Sequence, residues 1–470
     1  MTKRLTLLLS VSAVMFLQAQ DVSVITNTVD LYSNSQAVGS ARSMGMAGAM
    51  GAIGGDITAS DVNPAGTGVF ITSDLHATLG IVNDKQKTTL NGFGADTSQK
   101  NTDLVQAGGV ASFRMLGSKW QFVNVGVNYT NRNVDRFVKT PADRDIHLPI
   151  SYTDGGGNTV NDALLFDGHV YDRVGNVTKL NLTVGGNYDN RIYVGAGLNM
   201  HTVDFDQADV ARLSLASDNS YSDYNKQFTP YSELSNGVSL SAGVIGKVAN
   251  GIRLGLAIES PTWWNIDRAY TEYFYNTANN IDYEVYGESR SLSSPAKLTL
   301  SGAFVPNKNL ALNIDYTAGI SKPKFTNNGA AEDQLNAFFR NNYSGTSDLK
   351  IGGEYRLDGL RVRAGYGFAS NPIKDVTLRS VNVNESGSVF GDAYLGKRQT
   401  LSAGLGYDFK AFYIDAAFSN VSGEYSNPFF AGEYASGRNF NDGINNNDLG
   451  IVSATKSNRN TFVLTAGWKF

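Results

Sequence analysis

The feature that most constrains this chain is the way its strand-like segments are joined. From residue 75 onward, stretches of about ten residues alternate apolar and polar side chains with period two, the length a tilted strand needs to cross a hydrocarbon layer. In the first, Leu75, Ala77, Leu79 and Ile81 share one face, and His76, Thr78 and Gly80 share the other. Similar runs follow near 105–116, 119–131, 177–188, 191–203, 236–248, 251–260, 296–305, 308–318, 347–357, 360–369, 398–409, 411–420 and 459–470. That makes fourteen, and an even number lets a barrel close with both termini on one side. Their connections alternate in length. Short turns fall at Gly117-Ser118, Asp189-Asn190, Asn250-Gly251, Pro306-Asn307-Lys308, Asp358-Gly359 and Lys410, several of them dipeptides that favour tight hairpins. Between them lie long connections at 83–104, 132–176, 204–235, 261–295, 319–346, 370–397 and 421–458. Short turns on one side and long loops on the other are the outer-membrane pattern, with the turns periplasmic, and a soluble sandwich has no reason to sort its loops this way. The predicted fold is all-β: a 14-stranded antiparallel transmembrane outer-membrane β-barrel.

Strand chemistry sets which face meets lipid. Leu349, Ile351, Gly353, Tyr355 and Leu357 oppose Lys350, Glu354 and Arg356; Leu360, Val362, Ala364, Tyr366 and Phe368 oppose Arg361 and Arg363. A basic side chain facing lipid at mid-membrane costs ~2–4 kcal/mol, so the charged faces line the lumen. In 119–131 the phase slips, because Trp120 and Phe122 share one face while Val123, Val125, Val127 and Tyr129 occupy the other. A bulge or bend is expected there.

The N-terminus reads differently. Met1 to Ala19 has basic Lys3 and Arg4, an apolar run from Leu5 to Leu17 and a small residue at Ala19, the pattern of a secretory signal peptide too short to span as an anchor. The chain has no Cys, which excludes disulfides, thiolate metal sites and an acylated N-terminal Cys. Its net charge of −4 offers no basic face for nucleic acid. The organisation expected is 1–19 signal peptide, 20–70 plug and 71–470 barrel. Within the plug, Gly39 to Gly68 places Gly45, Gly48 and Gly51 every third residue, with Met44, Met46, Met50 and Ile53 among them. A flexible linker gains nothing from these apolar residues, whereas a compact plug needs them together with close backbone approach. In Asn63-Pro64-Ala65-Gly66, Asn and Pro favour a fixed turn, and Gly66 allows positive φ.

Ala41-Arg42, Gly45, Gly48-Ala49, Asp56 and Asn63 to Gly66 together resemble the N-terminal hatch of the FadL/TodX-type outer-membrane transport family, which takes up long-chain fatty acids and other hydrophobic molecules. The resemblance covers about thirty residues, and the remainder of the chain agrees in architecture. It implies a hatch inside the lumen, gated through Gly45, Gly48, Asp56, Asn63, Pro64, Ala65 and Gly66. It also implies loop capture of a hydrophobic small molecule, passage to a site beside the hatch, and release by a hatch shift, down the lumen or sideways near 119–131.

The residues suggest where capture would occur. Leu213, Leu215 and Phe228 in the 204–235 connection, and Trp263, Trp264, Tyr273 and Phe274 in 261–295, are apolar groups suited to a groove or to an interfacial girdle. Residues 330–340 place Leu335, Phe338 and Phe339 at helical spacing. The basic residues Arg114, Arg191, Arg253, Arg361 and Arg363 lie near short turns. They either meet a ligand carboxylate, pair with Glu354, Asp408 and Asp415, or fix the plug. His76, His147, His169 and His201 lack metal spacing, and the Asp442 to Asp448 loop lacks that of a calcium site, so no metal, cofactor or catalytic set is expected. Partners expected are the hydrophobic ligand, outer-membrane lipid and, through the terminal Phe470, the barrel-assembly machinery, with the protein a monomer. Rival readings are a general porin, or a receptor or adhesin holding a ligand such as haem in loops 371–397 and 421–458.

Overall fold

In the computed structural model the described residues are 24–34, 36–153, 156–226, 229–275, 281–326, 329–379, 389–430, 435–436 and 450–470. The signal-like leader, Phe228 and the 442–448 loop lie outside them. Fourteen strands form the barrel: β1 Asp74–Leu90, β2 Phe93–Arg114, β3 Trp120–Asn133, β4 Thr159–Tyr188, β5 Ile192–Leu215, β6 Tyr231–Ala249, β7 Ile252–Glu259, β8 Lys297–Phe304, β9 Leu310–Gly319, β10 Ser347–Leu357, β11 Leu360–Ala369, β12 Leu395–Asp408, β13 Phe412–Phe430 and β14 Gly450–Lys469. Each pairs antiparallel with the next, and β1 pairs with β14 from Asp74↔Lys469 to Thr89↔Ala454, which closes the wall. Closure leaves no unpaired edge, the requirement for strands in hydrocarbon.

Facing follows the sequence pattern. Leu75, Leu79 and Ile81 point out, whereas His76 and Thr78 are buried in the lumen. On β10 and β11, Ile351, Tyr355, Val362 and Tyr366 are exposed, and Glu354 and Arg363 are buried. Register slips on β3 between Trp120 and Phe122, near its periplasmic end. From there to Asn133 the ladder with β4 is continuous, as is the β2 ladder over Gln106–Arg114, so no side opening occurs beside these residues. A second bulge, on β2 at Val105, was not expected from the sequence; it turns that side chain onto Ala41 and Met44 of the hatch.

The long connections are corrected. Most are not loops but continuations of the strands: β1, β2, β4 and β5 run for 17, 22, 30 and 24 residues, well beyond the roughly ten a membrane requires. The 83–104 connection is a hairpin closed by Asn91 and Gly92, both at positive φ. In the 261–295 connection, Trp263–Tyr275 pairs with both β6 and Ile281–Ser293. Above the membrane both sheet faces meet water or protein, so lipid no longer imposes an apolar alternate face. Residues 330–340 do form a helix, Ala330–Asn342, which buries Leu335 and Phe339 in the apolar cluster over the barrel mouth.

Candidate functional site

Residues 36–70 fill the lumen at the short-turn end. They contain α1, Ala41–Gly45, and two 3-10 turns, Ile57–Asp61 and Pro64–Val69. So little helix leaves many backbone groups without a local partner, and polar side chains of the wall supply the bonds. Asp315 accepts from Met50 N and Gly51 N at 2.9 and 3.0 Å; Asn313 accepts from Ala52 N at 3.2 Å. Thr465 accepts from Ala41 N at 2.7 Å, and Asn124 donates to the carbonyls of Thr67 and Phe70 at 2.8 and 3.0 Å. Wall glycines admit the hatch backbone: a Cβ on Gly195, Gly185 or Gly365 would collide with Pro64, Gly68 or Met46.

Each hatch residue singled out in the sequence has a definite place. Asp56 caps the first 3-10 turn by accepting from Thr58 N at 2.9 Å, and it accepts from Ser40 Oγ at 2.6 Å. Burial raises its pKa, but the neighbouring His76 and Arg42 more than offset this and hold it below the usual carboxylate range. Asn63 caps the second turn: Oδ1 accepts from Ala65 N at 3.0 Å, while Nδ2 donates to the carbonyls of Gly51 at 2.9 Å and Val244 at 3.3 Å. Pro64 opens that turn, where its missing N–H costs nothing. Ala65 is buried against Tyr193 and Ile245. Gly45 lies where a Cβ would come within 3.2 Å of the Gly404 backbone, and Gly48 has φ +78. Gly66 does not have positive φ; its reason is space, since a Cβ there would lie 3.1 Å from that of Ala59.

One charged cluster joins hatch to wall. Glu354 of β10 accepts from Arg363 Nε at 2.7 Å, from Arg356 Nε at 2.8 Å and from Arg42 Nε at 3.1 Å. Arg363 also reaches Asp415 at 2.9 Å, and Arg42 donates to the carbonyl of Gly55 at 2.7 Å. Burial alone lowers the Arg42 pKa; Glu354 and Asp56 reverse this and raise it above its ordinary value. Arg361 pairs with Asp408, and Arg253 donates to the carbonyl of Ile53 at 3.0 Å. Arg114 and Arg191 are exposed at the turn end and are not brought into this cluster. In the sequence Arg42 stands out only as part of the hatch motif. A charged side chain inside a glycine-rich plug was the signal that it needed a wall carboxylate.

The N-terminal segment occupies the other half of the lumen. Helical turns over 24–33 bury Val29, Leu31 and Tyr32 against Val203, Phe205, Trp264 and Phe339. Asp30 meets Arg173 at 2.9 Å and Arg136 at 3.1 Å. Burial raises its pKa, but Arg136 and Arg173 overcome that and hold it well below the usual range. Tyr32 donates to Glu233 at 2.5 Å, and Glu233 accepts from Arg268 Nη2 at 2.6 Å. In the sequence this segment falls within the 20–70 plug, with none of its residues singled out.

Two adjoining cavities lie beside Asn34 and Gln36. One is lined by Leu31, Val177 and Trp264 together with Arg132, Lys179 and Glu259. The other shares Asn34, Gln36 and Arg132 with it and also meets Asp30, Arg398 and Arg459. Both have a mixed rather than apolar lining.

The proposed capture residues separate. Trp263 is 53% exposed, whereas Trp264 is buried, 4.9 Å from the Tyr32 ring and donating to Ser294 Oγ at 3.1 Å. Leu213 and Leu215 are buried with Phe166 and Phe429 in a second cluster. Tyr273 and Phe274 lie on a strand, opposite Tyr283 and Asp282, and Phe228 lies outside the described residues. The tertiary structure also brings together Asp209, His169, Thr140 and Ser453, an acid, imidazole and hydroxyl array that the sequence spreads over distant segments. All four are buried, with the Phe429 ring 4.7 Å from His169. Among the described residues no group of His, Asp and Glu is arranged to hold a metal.

No protein-family model matches the chain, and no curated protein sequence matches it. Solved structures do. The crystal structure of a Pseudomonas aeruginosa FadL homologue superposes with TM-score 0.55 at 14% identity, over 93% of this chain and 100% of that one. The Pseudomonas putida toluene transporter TodX gives 0.52 at 13%, over 94% and 100%. A TodX monoaromatic hydrocarbon channel carrying the deltaS2S3 change gives 0.53 at 14%, again over 94% and 100%. The resemblance drawn from the hatch residues is therefore borne out at the level of fold: the chain has the barrel fold of the FadL and TodX structures.

Proposed function

We propose that this barrel carries hydrophobic small molecules, of long-chain fatty-acid type, across the outer membrane. The observation that supports it most is the filled lumen. Hatch and N-terminal segment occupy the lumen and leave cavities of mixed lining beside Asn34 and Gln36, which suits a carrier of selected molecules better than a general porin with an open lumen. Capture begins at the outer surface on exposed Trp263, with Leu213, Leu215, Phe228, Tyr273 and Phe274 on the same two connections and Trp264 lining the cavity inside the lumen. Cargo then enters the cavity beside the hatch, and a shift of the hatch releases it. Asn63, Pro64 and Ala65 fix the hatch in its seat, with Gly45, Gly48, Asp56 and Gly66 allowing its close fit. Arg253, Arg361 and Arg363 act structurally, on the hatch or within the wall.

The test is mass spectrometry of organic extracts from the detergent-purified protein, against a form lacking residues 39–70. A fatty acid or similar apolar molecule that co-purifies with the intact chain and is lost from the control is the expected result. An empty protein that conducts ions steadily in planar bilayers would refute the proposal in favour of a porin.

A further inference from the structure

Segment 24–33 behaves chemically like an amphiphile. Val29 and Leu31 are inserted among apolar side chains of the barrel mouth, and Asp30 between them turns the opposite way, into arginines. Arg173 Nη2 meets its Oδ2 at 2.9 Å, Arg136 Nη2 meets the same atom at 3.1 Å, and Arg132 donates to the Asp30 carbonyl at 3.5 Å. Asn27 adds a bond from Arg173 Nη1 at 3.1 Å. The cavity beside Asp30 holds two further guanidinium groups: Arg398, which donates to Asn34, and Arg459, which faces Asp84 at 3.6 Å and donates to the carbonyl of Asn133 at 2.6 Å. Five arginines thus line this cavity beside four carboxylates, of which Asp84, Asp135 and Glu424 belong to the barrel and Asp30 alone to the N-terminal segment; each arginine is a planar fork of five donors. The segment belongs to no barrel ladder and is held largely by side chains, so its contacts are of the kind a ligand could replace.

We infer that Asp30 holds the place of the cargo's acid group. Residues 24–33 are a built-in occupant of the binding site. An amphiphile with an anionic head displaces them, its head taking the guanidinium contacts of Arg136 and Arg173 and its tail the apolar space of Val29 and Leu31. This rests on the transport reading and narrows it to anionic amphiphiles. Cargo binding and vacation of the lumen's outer half become one event, since both occupants compete for the same donors.

The experiment uses the full chain in detergent, with dodecanoate, dodecyl phosphate and dodecan-1-ol as probes in calorimetric titrations. Asp30→Asn keeps the shape of the internal occupant and removes its charge. It should tighten binding of at least one acid by about tenfold or more and leave the alcohol unchanged, and whichever acid gains identifies the preferred head group. Arg398→Gln, away from the Asp30 contacts, should weaken acids alone. A second readout uses Ser33→Cys, a buried position in a chain without cysteine: its alkylation by a water-soluble maleimide should accelerate with the acid and not with the alcohol. Equal acid affinities in the parent and Asp30→Asn proteins, both folded by heat-modifiable gel mobility, would overturn the inference. Alcohol binding as tight as acid binding in both proteins would overturn it while leaving transport of hydrophobic molecules standing. Failure of all three probes, with steady ion conductance, would remove the transport reading as well.

Discussion

Replacing Glu354 with Gln tests how the hatch is held. The carboxylate is wholly buried and accepts from Arg42 of the hatch and from Arg356 and Arg363 of the wall. Gln keeps the volume and one acceptor oxygen but leaves two buried guanidinium groups facing an uncharged partner. Removing one member of a buried ion pair costs ~3–5 kcal/mol. Arg363 retains Asp415 and Arg42 retains the Gly55 carbonyl, so the low end, about 3 kcal/mol, is appropriate here. At 1.4 kcal/mol per decade, the population with the hatch unseated should rise about a hundredfold. Ala52→Cys supplies the assay, because Ala52 is completely buried in the hatch and the chain has no native cysteine. The rate of maleimide labelling then reports the unseated population. Arg356→Gln is the control: its side chain is 37% exposed, and a solvent-screened pair of this kind contributes ~0–1 kcal/mol. A labelling rate in Glu354→Gln within threefold of the parent, with the barrel intact on a heat-modifiable gel, would refute this account of hatch anchoring.

Gly195→Ala should leave barrel assembly intact but raise Ala52→Cys labelling, because the new Cβ occupies the site of the Pro64 carbonyl; unaltered labelling would show that the hatch can yield there. Asn63→Ala removes a cap and two further bonds of the buried side chain, which should destabilise the seated hatch by about 1–3 kcal/mol, read by the same labelling. Trp264→Ser should lower thermal stability, in line with the ~3–5 kcal/mol of a buried Trp truncation, whereas Trp263→Ser should leave stability unchanged and reduce only uptake. Because the Asp30 carboxyl is held low in the fold, its contribution is complete above the ordinary carboxylate pKa, about 3.9, and is lost as pH falls below it. Hydrogen exchange of residues 24–33, corrected for intrinsic rates, should therefore stay flat from neutral pH to about 5 and accelerate only below about 4. In Asp30→Asn that acceleration should vanish.

The sequence by itself determined the barrel: fourteen spans, their facing and the tight turns follow from lipid's demand for an apolar outer face and from the few dipeptides that close a two-residue hairpin. Asn91-Gly92 carried the same turn signal, yet the hairpin it closes read as a loop, because Asp84 to Thr89 are polar on both faces above the membrane. The plug was legible too, since close backbone approach leaves its mark in Gly45 and Gly48 and capping leaves its mark in Asp56 and Asn63. Partnership was not legible. That Arg42 meets Glu354, that Asp30 sits among arginines from separate strands, and that Trp264 is buried while Trp263 is bare are decided when segments hundreds of residues apart converge. A strand's alternation records only which side faces lipid; on the lumen side, polar residues have the same period whether they bind a hatch, a ligand or one another, and only the closed barrel brings each to its partner.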